Sequence, residues 1–102
     1  MPAAALDPVI HAALRLQICA MLAQAASVEF ATVREMLDVS ESVLSKHVKV
    51  LEEAGYVEIR KKTLAQRQRT WLALTPAGRK AFAAHAAALR ELVRTADLTP
   101  GE

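Results

Sequence analysis

The sequence predicts a single, mainly α-helical domain with a small β-hairpin: a three-helix core, a two-stranded hairpin and a long closing helix. Three observations predict it. Apolar residues recur at helical spacing in four separate stretches. Two short runs alternate apolar and polar residues as strands do, and capping or proline signals mark the junctions. With 102 residues, the chain suits one domain over 1–102 with a modest core.

Asp7-Pro8 opens the first helix, because an aspartate can cap exposed amides and proline suits the first helical position. Ile10, Leu14, Ile18, Met21 and Leu22 then share one stripe, which predicts one helix to about Ala25 within the 7–26 segment. Ser27-Val28-Glu29 reads as a short break with room for one extended, pairing residue. Phe30, Val33, Met36 and Leu37 form a second, shorter amphipathic helix. Asp38-Val39-Ser40 closes it, and Ser40 caps a third helix whose acidic Glu41 lies at the positive end of the dipole. Leu44, Val48 and Leu51 face one way on that helix, which stops at Gly55, a natural left-handed cap.

Strands follow at Tyr56 to Thr63 and Arg69 to Leu74, where Val57 and Ile59, then Leu72 and Leu74, alternate. Leu64 to Gln68 lacks the Asn-Gly signature of a two-residue turn, which predicts a longer, looser loop. Thr75-Pro76 opens the last helix, 76–96, along which Phe82, His85, Leu89, Leu92 and Ala96 recur in steps of three and four; 97–102 reads as a tail. This element order is the winged helix-turn-helix layout.

Composition excludes several classes. Hydrophobic residues make up 53% and charged residues 24%, which suits a globular chain rather than a disordered one. The net charge of +2 is too small to name a partner, but Arg60, Lys61, Lys62, Arg67 and Arg69 crowd one short stretch. One cysteine, Cys19, rules out an internal disulfide and a multi-thiolate zinc site; among apolar neighbours it reads as a core thiol before a redox sensor. The apolar run Leu16 to Ala26 imitates a secretion signal, but Asp7, Gln17 and Gln24 spoil it, and no run is long enough for a membrane span. The expected setting is the cytoplasm.

The third helix is the most informative segment. Ser42, Ser45, Lys46 and Lys49 fall at offsets of three, four and seven and share a second face, with Val43 at its border. Small hydroxyls and ammonium groups on one face suit a major groove, where serines approach phosphates or base edges and Val43 a thymine methyl. A plain solvated face has the same pattern, but the basic hairpin tips the balance toward DNA. Lys62, Arg67 and Arg69 lie on both its arms, with no acid from Lys61 through Trp71, and the repulsion is relieved when a polyanion binds. Arg67 at the tip suits a minor-groove or phosphate contact. His47 either touches phosphate or packs behind the recognition face, and Trp71 reads as packing. His11, His47 and His85 lack metal-ligand spacing, no nucleophile–base arrangement or glycine-rich phosphate loop is present, and neither enzyme activity nor a cofactor is expected. The seam of Phe82, His85, Leu89 and Leu92 either covers the domain's own core or meets a second copy. The helix's length favours a homodimer, with Ile10, Leu14 and Ile18 completing the interface.

Arg15-Leu16-Gln17-Ile18 with Leu22, the run Ser45-Lys46-His47-Val48-Lys49-Val50-Leu51-Glu52-Glu53-Ala54-Gly55-Tyr56-Val57, and Leu74-Thr75-Pro76-Ala77-Gly78 resemble the ArsR/MarR-type winged-helix transcriptional regulators over about 7–95. The resemblance implies a dimer with the third helix in the major groove and the hairpin flanking it. Ser42, Ser45, Lys46 and Lys49 then match the recognition surface, and Arg67 and Arg69 the wing. The second helix lacks the cysteine pair of metal-sensing ArsR proteins, and the chain is shorter than typical MarR proteins, so a compact MarR-like subgroup fits best. The expected partners are double-stranded DNA and a second copy, and the expected function is sequence-specific regulation, with repression favoured, from a palindromic operator. The rivals are a protein-interaction winged helix without DNA binding, and a sensor with a small-molecule pocket between the first and last helices.

Overall fold

A computed structural model describes residues 6–96. Its elements are α1 (Pro8–His11), α2 (Ala13–Leu22), β1 (Val28–Glu29), α3 (Phe30–Leu37), α4 (Glu41–Glu53), β2 (Val57–Leu64), β3 (Arg67–Leu74) and α5 (Pro76–Thr95). The expected layout is present, with three local differences. The expected 97–102 tail lies outside the described residues.

The first difference is a break in the first helix. Ala12 turns out of the helix at ψ 131°, leaving α1 as a single separate turn. The break lets Ile10 drop into the core, fully buried, while the residue before α1 reaches across to α5. Asp7 caps α1 as expected, accepting the Val9 amide at 2.9 Å and the Ile10 amide at 3.4 Å.

The second difference is in the sheet. Val28 and Glu29 both pair with β3, opposite Leu72 and Trp71, giving three strands in the order β1-β3-β2 rather than an isolated hairpin. The third is the hairpin turn. β2 and β3 run in continuous antiparallel register from Val57↔Leu74 to Leu64↔Arg67. Only Ala65 and Gln66 connect them, at φ 51° and 63°. Two successive left-handed residues are what a right-twisted hairpin requires, so strand geometry overrides the missing Asn-Gly signal. Neither side chain favours that region, at a cost of about 1 kcal/mol each.

α3 and α4 form the helix-turn-helix. Asp38, left-handed at φ 53°, ends α3, and the Ser40 hydroxyl accepts the Val43 amide at 3.2 Å to start α4. α4 ends in a Schellman motif: the Tyr56 amide donates to Leu51 and the Gly55 amide to Glu52, with Gly55 at φ 82°. Leu44, Val48 and Leu51 from α4 join Ile18, Cys19 and Leu22 from α2, Val33 from α3, and Val57, Leu72 and Leu74 from the sheet in one core. Burial pushes the Cys19 thiol up to about 11, so at neutral pH it is an un-ionised core group.

α5 is anchored at its start. The Thr75 hydroxyl donates to the Gly55 carbonyl at 2.6 Å and accepts the Gly78 amide at 2.9 Å. Gly78 lies against the Tyr56 backbone so closely that a Cβ there would sit 2.0 Å from its carbonyl oxygen. This contact accounts for the glycine in Leu74-Thr75-Pro76-Ala77-Gly78. Arg79 then donates to the Ala23 and Ala25 carbonyls, tying α5 to the end of α2.

Candidate nucleic-acid interface

α4 is tilted by its apolar stripe so that its opposite side faces solvent. Ser42, Val43, Ser45, Lys46 and Lys49 are all exposed, with Val43 at 42%. No carboxylate engages Lys46 or Lys49 among the described residues, and the nearest acids on the helix are Glu41 at its start and Glu52 and Glu53 at its end. His47 is half-buried behind this face, where its Nδ1 meets Arg15 Nη1 at 3.1 Å. Burial first, then the charges of Arg15 and Lys46, hold its pKa below 6.5, so the ring is neutral at neutral pH.

The hairpin's cations divide by the parity of the strand. Lys61 shares a face with Val57 and Ile59, toward the helices, whereas Arg60, Lys62, Arg67 and Arg69 occupy the other face. Two of these four are engaged. Arg60 donates to Glu58 through two bonds of 3.0 and 3.1 Å, and Arg69 donates to both carboxylate oxygens of Glu29 at 3.3 Å. Lys62 lies over the Trp71 ring, 5.8 Å from its centroid. Trp71 packs on the hairpin as expected, and its indole N–H is buried without a partner among the described residues. Lys61, Lys62 and Arg67 form no ion pair among the described residues, so the wing's available charge is concentrated toward its tip.

Between the two basic elements lies a cleft of about 240 Å³, floored by Phe30, Val48, Ile59 and Leu72 and edged by Glu41, Ser45, Lys61 and Thr70. Ser45 and Lys61 therefore belong to one continuous surface from helix to wing. Lys61 was absent from the expected contact set. Its parity with Val57 and Ile59 was the signal that it turns toward the helices.

The expected dimer residues separate. Ile10 and Ile18 are fully buried in the protomer's own core, and His85 is 1% exposed and hydrogen-bonded to the Asp7 amide. These three do not present a surface to a partner: Ile10 and Ile18 belong to the core shared with α4 and the sheet, and His85 is covered by its contacts with Asp7 and His11. Leu14 and Phe82 are half-buried against the same core. Farther along α5 the seam emerges: Leu89 is half-buried, while Leu92 and Val93 are 52% and 51% exposed. Three-dimensional packing also joins two histidines that sequence spacing separates, His11 and His85, at 3.4 Å. No group of three or more metal-ligating side chains occurs among the described residues. None of their helices is long and apolar enough to cross a membrane.

A helix-turn-helix with an exposed hydroxyl and ammonium face, flanked by a basic antiparallel wing and closed by a long helix, defines a winged-helix protein. Residues 14–93 match the family model described as a winged helix DNA-binding domain, and the chain belongs to that family. An uncharacterized protein of Methanocaldococcus jannaschii is 34% identical over 74 residues, covering 72% of this chain and 80% of the relative. Among solved structures, a transcriptional regulator homologue from Pyrococcus horikoshii superposes with a TM-score of 0.83 at 27% identity, covering 88% of this chain and 89% of that one. A regulator of Enterococcus faecalis assigned to the MarR family shares the fold, with a TM-score of 0.71 at 22% identity over 85% of this chain and 77% of that one.

Proposed function

We propose that the protein is a sequence-specific, double-stranded DNA-binding regulator that acts as a homodimer in the cytoplasm and represses by occupying a palindromic operator. The observation that carries this reading is the exposed Ser42, Ser45, Lys46 and Lys49 face of α4, joined across the cleft through Ser45 and Lys61 to a wing whose outer face carries Lys62 and Arg67 toward its tip. A helix about 10–12 Å across fits the major groove, and a flanking hairpin then reaches the adjacent backbone or minor groove. In this arrangement the serines and Val43 read base edges, the lysines neutralise phosphates, and Arg67 contacts the minor groove or backbone. Arg69 is a weaker contributor than sequence alone predicts, because Glu29 neutralises its charge in place.

The exposed Leu92 and Val93 with Leu89 support a dimer built on the outer half of α5. Two protomers then present α4 to major-groove faces about 34 Å apart, and an occupied site near a promoter obstructs polymerase. Selection of binding sites from random duplexes, followed by titration with the Lys46→Ala/Arg67→Ala variant, tests the placement. The variant should weaken binding and lower the slope of log K against log salt by roughly one unit per lost phosphate contact. Selection should return inverted repeats. Unchanged operator affinity in the double variant refutes the placement, and single half-sites refute the dimer.

A further inference from the structure

His85 is a buried imidazole whose two nitrogens are both committed. Its Nδ1 accepts the backbone N–H of Asp7 at 2.9 Å, so the ring carries no proton there. In the neutral ring the proton then lies on Nε2, 3.4 Å from His11 Nδ1, with the two rings edge-to-face at 5.3 Å. α5 thus grips both ends of α1 through a single side chain. Two backbone breaks isolate that turn: Asp7 is extended before it, and Ala12 is extended after it.

α1 is also wired to the recognition helix. The Val9 carbonyl accepts from Arg15 Nε, and Arg15 Nη1 donates to His47 Nδ1 at 3.1 Å. Arginine has only donors, so this contact also needs an imidazole acceptor. Each end of the path from α5 through α1 and Arg15 to α4 therefore depends on an unprotonated Nδ1.

We propose that His85 and His47 make α1 a proton-sensitive latch, in which protonating Nδ1 of each ring detaches α1 from α5 and Arg15 from α4. A proton on His85 Nδ1 faces the Asp7 amide, which is itself a donor, so the hydrogen bond is replaced by a clash of two N–H groups. The titratable groups around His85 are Asp7, which caps α1, and His11 at the end of α1, with the Tyr56 hydroxyl reaching Asp7 from the entry to β2. The Asp7 carboxylate cannot readily take the new proton as a partner. Its Oδ1 is held by the Val9 and Ile10 amides and its Oδ2 by the Tyr56 hydroxyl at 2.6 Å. Around His47, Arg15 from α2 and Lys46 on its own helix both oppose a positive ring. Both rings thus take up their second proton at a lower pH than a free imidazole, and that uptake releases the latch, changing the seat of α4 without any ligand. This goes beyond the DNA-binding reading and does not depend on it.

The test is nitrogen-15 NMR of the full chain from about pH 7.5 to pH 5, following both imidazoles and the exchange of the Asp7 amide, with the Leu72 amide as a core reference. At the upper pH both histidines should show the Nε2–H tautomer. On acidification, Asp7 protection should fall by about tenfold or more as the His85 ring gains its second proton, while Leu72 stays protected. In His85→Asn, whose side-chain oxygen keeps an acceptor near the Nδ1 position but does not titrate, Asp7 should stay protected throughout. An Nδ1–H tautomer at either histidine, Asp7 protection that does not follow His85 protonation, or the same Asp7 response in His85→Asn overturns the latch. So does increased Asp7 protection at low pH, the signature of a His85–Asp7 ion pair. Should His85→Asn fail to fold, the wild-type tautomers and the Asp7 titration decide the matter alone.

Discussion

Replacing Gly78 with alanine inverts the usual effect of that substitution in a helix. Inside an ordinary helix the change gains about 1 kcal/mol from backbone entropy. Here the new Cβ would lie 2.0 Å from the Tyr56 carbonyl oxygen and 2.8 Å from its carbon, both backbone atoms that no rotamer change can move. Either α5 lifts from the start of β2 or the Tyr56 peptide turns. Both movements strain the bond of 3.0 Å from the Thr75 amide to Tyr56 and disturb the Thr75 cap. Overpacking of this severity costs about 3 kcal/mol, and the hydrogen bond and cap about 1 kcal/mol each at most. Less the helix-propensity gain, the net loss is about 2–4 kcal/mol, against a total stability of about 5–15 kcal/mol for a domain of this size. Urea and thermal unfolding followed by circular dichroism should show the midpoint fall by roughly 10–20 °C. Gly55→Ala is the control. It meets nothing within 4 Å and is penalised only for its φ of 82°, by about 1–2 kcal/mol. A Gly78→Ala protein as stable as wild type, or less perturbed than Gly55→Ala, refutes the close-approach argument.

The turn supplies the opposite expectation. Ala65→Asn with Gln66→Gly should stabilise the protein by about 1–2 kcal/mol in denaturant unfolding, because both positions are left-handed, while duplex affinity stays as it was. Stability should also fall with acidification. Burial is the main cause holding His85 and His47 below 6.5, with His11 adding to it at His85 and Arg15 and Lys46 at His47. The unfolded chain therefore binds more protons than the folded one below that pH. The contribution is complete above 6.5 and declines as pH falls toward the folded values, by at most about 1.4 kcal/mol per pH unit for each ring; urea midpoints from pH 8 to pH 5 measure it. Glu29→Gln should free Arg69 and steepen the salt dependence of duplex binding by up to about one unit, whereas Arg69→Ala should change that slope little. Equal slopes for wild type and Glu29→Gln show that Arg69 does not face the duplex.

What the sequence by itself determined is the part governed by neighbours along the chain. Asp7, Ser40 and Thr75 cap helices, Gly55 ends one, and the period of 3.6 sets Leu44, Val48 and Leu51 opposite Ser42, Ser45, Lys46 and Lys49, because each depends on interactions within a turn or two. The basic surface was legible for that reason, even to the parity that turns Lys61 toward the helices. Tertiary structure alone decided the rest. An apolar stripe states that a side chain needs cover without saying whose, so Ile10, Ile18 and His85 looked as suited to a partner as to the core that in fact buries them. Likewise the break at Ala12, the left-handed Ala65-Gln66 turn and the Glu29–Arg69 pair go against or lie outside local preference, and each exists because contacts remote in sequence outweigh it: burial of Ile10 with the Asp7–His85 bond, the twist of two paired strands, and the pairing of β1 with β3.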